Sequence, residues 1–417
     1  MESVKKSCGL FIRVSVKVKL EFVNNFWGGE IHLELMIIAI DGYEANVKNK
    51  VGIGRYAYDI LMHMYKISVQ NKSNGLLFRI YLPSIPRDDM PPQSEWWKYV
   101  VRGPLNFWTF VGLPLALSSD APKADVIFSP THYVPRFIST PRVMSIMDTS
   151  YLEYPEMFRK RDLYQLTEWT RYSVAHVERI FTISEFSKNA IMNAYKVPAE
   201  KVIVTYPGFS MAKRSTDQTK RDIYSAYGIG RHYILSVGTI QPRKNYMRLM
   251  EAFAKFLAAN KQKFGEIQLV IVGKKGWMYD KILEAPARLG LNGKVRFLHT
   301  VPDRDLPQLY GNALCFALPS LYEGFGLPVL EAMAYKCPVV VSNVSSLPEI
   351  AGSAGVYVNP EDTDSIAGGL LSAVRQRNLI QGRMRIQKGL AQVKLFTWEK
   401  AAKQTLEVLK EAGSKKI

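Results

Sequence analysis

The chain has 417 residues, 47% of them hydrophobic and 22% charged, which is too long for one ordinary hydrophobic core and predicts two soluble-type domains. Lysine and arginine (55) outnumber aspartate and glutamate (37), and the net charge of +18 favours an anionic partner, although no nucleic-acid-binding module is recognisable. Cys8, Cys315 and Cys337 have neither disulfide-framework nor metal-site spacing, so we expect Cys315 and Cys337 to pack as small hydrophobic residues in a reducing cytosol.

Residues 1–35 precede the first strand of the repeating pattern and are assigned as an N-terminal extension of uncertain role. Apolar and polar residues alternate over residues 12–22, which is typical of a half-buried strand. Arg13, Lys17 and Lys19 interrupt this stretch, so we expect no signal peptide. The chain has no uninterrupted run of about 18 apolar residues, the length that spans a bilayer.

Residues 36–210 alternate between short apolar runs and helical patterns, which predicts a doubly wound parallel sheet. The predicted strands are residues 36–41, 77–82, 124–129, 142–147, 179–183 and 201–206. Helical patterns cover residues 54–66 and 162–176, and a further helix begins near Ser184, whose hydroxyl suits an N-cap. We therefore expect a first Rossmann-like domain in this part of the chain.

An aromatic cluster interrupts the pattern of the first domain. It consists of Trp96, Trp97, Tyr99, Phe107, Trp108 and Phe110, with Lys98 and Arg102 among them. Aromatic and basic residues mixed in this way are typical of an interfacial membrane anchor. The alternative is burial in the core of the domain.

A polar segment, residues 210–219, is the predicted linker to a second Rossmann-like domain over residues 211–395. The predicted strands of this domain are residues 233–237, 268–272, 295–298, 314–318, 338–341 and 356–358. The C-terminal segment, residues 396–417, contains an amphipathic helical pattern at residues 398–410.

Two charged motifs follow strands of the second domain, at the sheet edge where α/β proteins bind ligands. Arg243 and Lys244 come after the strand at residues 233–237, and two adjacent cations suit a diphosphate. After another strand, Glu323 precedes two glycines and a helix that carries Glu331 in its predicted first turn. Helix N-termini bind phosphate, and carboxylates accept hydrogen bonds from hydroxyls. These motifs together predict a nucleotide-sugar site.

Residues 323–331 resemble the Glu-x7-Glu signature of retaining glycosyltransferases of family 4, which have the GT-B fold. The resemblance runs from about Met36 to the end and includes residues 52–56, 181–188, 206–208, 236–245, 272–277 and 301–306. Bacterial mannosyltransferase-like members are the most similar. The resemblance implies two Rossmann-like domains facing across a cleft, with the acceptor on the first domain and the donor on the second. It also implies a last helix that crosses back to the first domain, and it favours burial of the aromatic cluster, because residues 113–115 fit the family's core pattern.

The resemblance assigns roles to individual residues. It implies that Glu331 binds the ribose hydroxyls, and that Glu323 faces the donor sugar. The expected catalytic residues are Glu323, His132, Arg243 and Lys244. The expected donor-binding residues are Gly52, Gly54, Arg243, Lys244, Gly324, Phe325, Gly326, Leu327, Glu331 and Val301. For His132 the alternative is a loop histidine that only packs, and Met147 stands where many relatives have a histidine.

Two acidic pairs, Asp303 with Asp305 and Asp362 with Asp364, have a spacing that metal sites also use. Each pair precedes a helical pattern, so helix capping is the better interpretation. We therefore expect no metal and no cofactor. A dinucleotide fingerprint at Gly52 does not fit either, because the glycines do not directly follow the strand and the next strand ends without an acidic residue.

The combined expectation is a retaining, metal-independent hexosyltransferase, with mannose the favoured sugar. Its donor would be a nucleotide sugar, with GDP-mannose favoured over a UDP-hexose. Its acceptor would be a glycan or a lipid-linked molecule in cell-envelope polysaccharide biosynthesis. We expect a cytoplasmic protein with peripheral contact to the inner face of the membrane, which would explain the net charge; a basic surface without a specific partner is the alternative. The other functions considered are a GT-B sugar-nucleotide epimerase, a non-catalytic nucleotide-sugar-binding protein and, least favoured, an NAD oxidoreductase.

Overall fold

The structure is a computed structural model, and it describes residues 35–50, 52–73, 75–103, 106–209 and 222–414. Two sheets, of seven and six strands, form the centres of two α/β domains. The strand pairings in both sheets are parallel. Parallel strands need crossover helices that cover both faces of the sheet, and this explains why the strand sequences are almost continuously apolar. The predicted doubly wound parallel sheets are confirmed.

The first domain contains strands β1 to β7 and helices α1 to α6. The strands are β1 (Met36–Asp41), β2 (Leu76–Leu82), β3 (Trp97–Val101), β4 (Val126–Ser129), β5 (Arg142–Ser145), β6 (Arg179–Thr182) and β7 (Val202–Val204). The helices are α1 (Ile53–Gln70), α2 (Leu113–Ser119), α3 (Ser150–Glu153), α4 (Lys160–Tyr164), α5 (Thr170–Ala175) and α6 (Glu185–Tyr195). Two π-helical turns, Trp108–Gly112 and Gln165–Trp169, lead into α2 and α5.

The second domain contains strands β8 to β13 and helices α7 to α15. The strands are β8 (Tyr233–Val237), β9 (Gln268–Val272), β10 (Val295–Leu298), β11 (Cys315–Leu318), β12 (Val339–Ser342) and β13 (Val356–Val358). The helices are α7 (Ile223–Tyr227), α8 (Tyr246–Ala259), α9 (Lys261–Phe264), α10 (Asp280–Arg288), α11 (Leu306–Asn312), α12 (Leu327–Ala334), α13 (Leu347–Ala351), α14 (Thr363–Gln376) and α15 (Ile380–Val393).

The order of the strands fixes where a ligand can bind. The first sheet has the order β3-β2-β1-β4-β5-β6-β7, and the second has the order β10-β9-β8-β11-β12-β13. In each sheet the winding direction reverses beside the first strand, between β1 and β4 and between β8 and β11. Doubly wound sheets bind ligands at the carboxyl ends of the strands at such a reversal. The loops that leave β4 and β11 carry His132 and Glu323, so both residues lie at a reversal point.

The last helix, α16 (Trp398–Ser414), packs on the first domain, against α1, β1 and β4. The two chain segments that run between the domains touch at Gly208. A Cβ atom at this glycine would lie 2.0 Å from the backbone nitrogen of Trp398. A residue with a side chain at position 208 would push the two connecting segments apart, which explains why this position is a glycine.

Several sequence-based expectations can be compared with this fold. The strands of both domains were predicted to within a few residues, apart from the edge strand β3, where no strand was predicted. The predicted helix at residues 162–176 is broken by the π-helical turn Gln165–Trp169. The predicted strand at residues 12–22 and the linker at residues 210–219 lie outside the described residues, as does most of the N-terminal extension.

The aromatic cluster is divided between core and surface. Trp97 is fully buried, and Trp108 is buried with its Nε1 donating a hydrogen bond to Asp41 Oδ1 at 2.9 Å. Burial is thus confirmed for both tryptophans, whereas Phe107 is 73% exposed. Within the described part of the chain, no helix combines the length and apolar character that crossing a membrane requires. Cys315 and Cys337 are buried as free thiols, as predicted.

Candidate active site

A cavity of about 830 Å³ lies between the two domains, at the carboxyl ends of both sheets. Most of the predicted site residues line it: Gly52, His132, Arg243, Lys244, Glu323, Gly324, Phe325, Gly326, Leu327 and Glu331. The structure thus brings residues from four separate stretches of the chain, in two domains, to one place. The cavity volume is in the range of sites that bind small molecules and cofactors.

Gly54 and Val301 are the two predicted donor-binding residues that do not line this cavity. Gly54 is buried in α1, and a Cβ atom there would lie 3.1 Å from the backbone oxygen of Glu44. Val301 is partly buried and packs against the hydrophobic core. For both residues a direct contact with a donor stays a prediction.

The two adjacent cations lie in a rigid 3₁₀ turn, Pro242–Lys244, directly after β8. Asn245 ends the turn in the left-handed conformation, with φ of 60°. Its side-chain amide donates to the backbone oxygens of Pro319 and Pro360, at 2.9 and 2.7 Å. These bonds fasten the turn to the loops after β11 and β13, so the cations are held beside Glu323.

Lys244 and Glu323 form a buried ion pair on the cavity wall. Lys244 Nζ lies 2.6 Å from Glu323 Oε1, and the hydroxyl of Ser320 donates to the same oxygen at 2.7 Å. Burial raises the pKa of the Glu323 carboxyl, but the charges of Lys244 and Arg243 and the two hydrogen bonds outweigh it and leave the pKa lowered. Glu323 is therefore ionised, with one oxygen already held by partners.

Arg243 lies between carboxylates of both domains. Its Nη1 donates to the backbone oxygen of Tyr322 at 2.6 Å and lies 3.6 Å from Glu323 Oε2. Burial raises the pKa of the Asp148 carboxyl, but the charge of Arg243 and the hydrogen bonds from Ser150 outweigh it and leave that pKa lowered. Asp148 was not predicted as a site residue, although its position after a strand of the first domain was a usable signal.

The glycine-rich loop before α12 is attached to the first domain. A Cβ atom at Gly324 would lie 2.8 Å from the Cβ of Asp148, so only glycine fits here. The hydroxyls of Ser184 and Ser187 donate to the backbone oxygen of Gly324 at 2.7 and 3.2 Å. Gly326 has a φ of 106°, which side chains rarely adopt. The glycines therefore permit close packing and a tight turn as well as access to the cavity.

Glu331 lies deeper in its helix than the sequence pattern predicted. Because α12 begins at Leu327, Glu331 is in the second turn, and the prediction of a first-turn position is wrong. The buried hydroxyl of Tyr310 donates to Glu331 Oε2 at 2.6 Å. Burial raises the pKa of the Glu331 carboxyl to about 6, although this hydrogen bond acts in the opposite direction. The role of Tyr310 was not predicted. Tyr310 lies on α11, and nothing in its local sequence connects it with Glu331 on α12, which follows after strand β11.

His132 faces the cavity as a neutral imidazole. Burial lowers its pKa to about 4. Its Nε2 accepts a hydrogen bond from the backbone N–H of Met147 at 3.2 Å, which assigns the ring proton to Nδ1. Nδ1 has no hydrogen-bond partner among the described residues. The ring thus has an unused N–H donor, but Nδ1 itself is buried, and a part of His132 in catalysis stays a prediction.

The N-terminal half of α1 adds a further charged pair to the cavity. Arg55 Nε donates to Asp59 Oδ2 at 2.6 Å, and both residues line the cavity. The charge of Arg55 acts across the cleft to lower the pKa of Glu331, while Asp303 raises it. Arg55 belongs to the segment 52–56 that the sequence singled out, but its side chain was given no role.

The two acidic pairs behave differently. Asp362 caps α14, since its carboxylate accepts from the backbone N–H of Asp364 at 2.8 Å, as predicted. Asp305 stands at the N-cap position of α11 without a side-chain capping bond, and it accepts from the hydroxyl of Tyr227 instead. Its predicted capping role is wrong. In the ranges that the structure covers, no three His, Cys, Asp or Glu side chains are grouped to hold a metal ion.

Comparison with known proteins agrees with the motifs. Residues 220–392 match the family Glycosyl transferases group 1. The O-antigen chain mannosyltransferase B of Escherichia coli is 32% identical over 290 residues, which are 69% of this chain and 74% of that protein. The O-antigen chain mannosyltransferase RfbU of Salmonella typhimurium strain LT2 is 30% identical over 225 residues, which are 54% of this chain and 58% of that protein.

Among solved structures, HepE of Anabaena in complex with UDP-glucose is similar in fold, with a TM-score of 0.65 at 18% identity. The match covers 90% of this chain and 99% of that one. These similarities agree with the structure, which has two doubly wound sheets, a cavity at their reversal points and the predicted motifs around that cavity. The chain belongs to the glycosyl transferases group 1 family, and its fold is GT-B.

Proposed function

We propose that this glycosyltransferase moves a hexose from a nucleoside-diphosphate sugar to an acceptor hydroxyl, with retention of anomeric configuration and without a metal ion. One observation carries the proposal. Two fixed cations, the N-terminus of α12 and two carboxylates from Glu323 and Glu331 line the same cavity. This combination offers positive groups to a diphosphate and acceptor oxygens to sugar hydroxyls.

The cations supply the charge stabilisation that the departing diphosphate needs. Breaking the anomeric bond leaves a negative charge on the phosphate oxygen, and preorganised positive groups stabilise that charge in the transition state. Arg243 and Lys244 are held in place before any ligand arrives, because Tyr322 O and Glu323 orient them. Backbone amides at the start of α12 add the positive end of the helix dipole. These groups can act in place of a divalent cation.

The acceptor hydroxyl would attack from the side of the ring that the diphosphate leaves. Its proton passes to the departing phosphate oxygen, so that the new glycosidic bond forms on the same face. The neutral His132 would contact the donor sugar from the first-domain side, and Glu331 would accept from the ribose hydroxyls. The sugar is proposed to lie between Glu323 and His132, the two residues at the reversal points of the sheets.

Mannose is the proposed sugar, because both relatives described above are named mannosyltransferases. GDP-mannose is therefore the proposed donor, and a UDP-hexose is second because the similar Anabaena structure holds UDP-glucose. The names of the two relatives also support a growing glycan or lipid-linked acceptor of cell-envelope polysaccharide synthesis. We place the reaction in the cytoplasm, at the inner face of the membrane.

The test is release of nucleoside diphosphate from a panel of GDP- and UDP-hexoses, with and without a chelator. We expect release with GDP-mannose that the chelator does not reduce, and a product whose anomeric proton coupling matches the donor's configuration. Loss of activity with the chelator would contradict metal independence, and an inverted product would contradict retention. Interconversion of sugar nucleotides would indicate an epimerase, and inactivity with every donor would indicate a binding protein.

The pH dependence of donor binding tests the role of Glu331. A carboxylate accepts ribose hydroxyl hydrogen bonds best when ionised, and the pKa of Glu331 is raised to about 6. We therefore expect the affinity for GDP-mannose to decrease as the pH falls through about 6. A nucleotide sugar is the suitable ligand for this test. A terminal phosphate has a second ionisation near pH 6, whereas both phosphates of a nucleotide sugar are esterified and lack it.

Two variants act as controls for this pH profile. Glu331→Gln should bind more weakly at neutral pH and show no change near pH 6. Tyr310→Phe removes a hydrogen bond that lowers the pKa of Glu331, so the midpoint should move to higher pH. Calorimetry at several pH values measures both effects, and a wild-type profile that stays flat through pH 6 would refute the assignment.

A further inference from the structure

Four exposed apolar side chains form a stripe on the first domain, which we name the apolar stripe: Phe107, Val111, Leu115 and Phe137. The first three are spaced by four residues along the π-helical turn and α2, and they are 73%, 44% and 60% exposed. Phe107 is the N-cap of this turn, in the left-handed conformation with φ of 56°, and its oxygen accepts from the backbone N–H of Val111 at 2.8 Å, while Val111 and Leu115 lie within the helical segment. Residues four apart on a helix lie on the same face.

The fourth member, Phe137, is 90% exposed on a neighbouring loop. The preceding residue joins this loop to the stripe, because the guanidinium of Arg136 lies over the ring of Phe110 at 5.2 Å. Single exposed apolar residues are normal on protein surfaces, but an aligned group with two exposed phenylalanines indicates a contact surface.

Two cations, Arg136 and Lys123, lie near the apolar stripe. Arg136 lies beside Phe137, and Lys123 donates through Nζ to the backbone oxygen of Ser118 at the end of α2. The carboxylates nearest in sequence to α2 point away from solvent. Asp120 Oδ2 accepts from the hydroxyl of Tyr81, and Asp125 Oδ2 accepts from the backbone N–H of Ile37, both at 2.7 Å. Apolar and aromatic side chains with cations around them match the interface of an anionic bilayer.

A row of aromatic rings connects the apolar stripe with the cavity. The ring of Phe110 packs edge-on against Trp169 at 4.7 Å, and Trp169 packs against Tyr133 at 5.6 Å. Tyr133 and Leu166 line the cavity on its first-domain side. A molecule anchored in a bilayer at the stripe would thus have its head group next to the side of the cavity that faces the acceptor.

We propose that the apolar stripe docks this protein on an anionic lipid bilayer and so presents the first-domain side of the cavity to a lipid-linked acceptor. This inference rests on the proposed function for the identity of the acceptor, but the docking itself does not require a donor. Trp97 and Trp108, which belong to the aromatic cluster of the sequence, are buried and take no part in the stripe. The net charge of +18 favours the same partner.

The experiment measures binding of the full chain to vesicles by sedimentation, without donor. Vesicles of phosphatidylcholine alone are compared with vesicles that also contain phosphatidylglycerol. The stripe variant is Phe107→Ser with Phe137→Ser, and the matched control is Leu379→Ser with Ile380→Ser, at two exposed apolar residues of the second domain. We expect binding to the anionic vesicles only, a fall of about tenfold or more in the partition coefficient of the stripe variant, and no change in the control.

Three results would overturn the proposal. They are no binding of the wild type to anionic vesicles, equal losses in the stripe variant and the control, and a wild-type dimer in light scattering that the stripe variant converts to a monomer. The last result would make the stripe an interface between copies of the chain. Thermal stabilisation by GDP-mannose, measured on all variants, shows that each is folded. Absence of that stabilisation in the wild type, with vesicle binding intact, would count against the proposed function alone.

Discussion

Replacing Glu323 with glutamine is expected to lower the turnover number for sugar transfer by about 10²- to 10³-fold, the usual effect of removing one electrostatic group from an active site. The substitution keeps the shape of the side chain and removes the charge that orients Lys244 and Arg243. Both cations would then lose the partner that holds them at the cavity wall. Initial rates at saturating donor and acceptor give the effect on turnover.

The same substitution should also destabilise the fold, and the two effects can be separated. Lys244 is 8% exposed, so loss of its partner leaves a buried charge uncompensated, at a cost of about 3–5 kcal/mol. The double variant Lys244→Met with Glu323→Gln removes both charges and should recover most of the stability. It should not recover turnover. A double variant that regains both the melting temperature and the rate would show that the pair is only structural.

Substituting Arg243 with alanine is expected to remove almost all of the thermal stabilisation that a nucleoside diphosphate gives. A ligand at a hundred times its Kd stabilises the folded state by about 2.7 kcal/mol. Loss of a charge-assisted contact to phosphate costs up to about 3 kcal/mol, or roughly a hundredfold in affinity. At the same ligand concentration the stabilisation would then fall to about 0.4 kcal/mol, which is close to the error of a melting experiment.

The matched control for this prediction is Arg248→Ala. Arg248 lies in α8 beyond the 3₁₀ turn, and its Nη1 donates to Asn245 Oδ1 at 3.3 Å. It is not among the residues that line the cavity. The control should keep the full ligand-induced shift, which excludes a general effect of lost positive charge near α8. If Arg243→Ala retains the shift of the wild type, Arg243 does not hold the diphosphate.

Much of the fold was predictable because buried parallel strands leave a simple signal. Short apolar runs such as residues 314–318, followed by glycine or charged residues, located the strands and the edge at which they end. The charged motifs at Arg243 and Glu323 could be assigned to one edge for the same reason. An edge strand gives a weaker signal, and β3 was missed because its aromatic residues also suit a surface anchor.

The contacts within the site were not predictable from local patterns. The pair of Lys244 and Glu323 joins residues 79 positions apart, and the donor to Glu331 comes from another helix. Asp148 belongs to the other domain, and its proximity to Gly324 depends on how the domains meet. Such contacts depend on tertiary packing, which the spacing of residues along the chain does not predict. The position of Glu331 was misjudged by one turn because a glycine-rich loop does not reveal where its helix begins.

The bonds from Ser184 and Ser187 to Gly324 have a consequence for the reaction cycle. The peptide that would cradle the leaving group is fastened to the opposite lobe, so spreading the lobes apart must break both hydroxyl–carbonyl bonds. Opening of the cleft would therefore also detach the loop at Gly324 from the first domain.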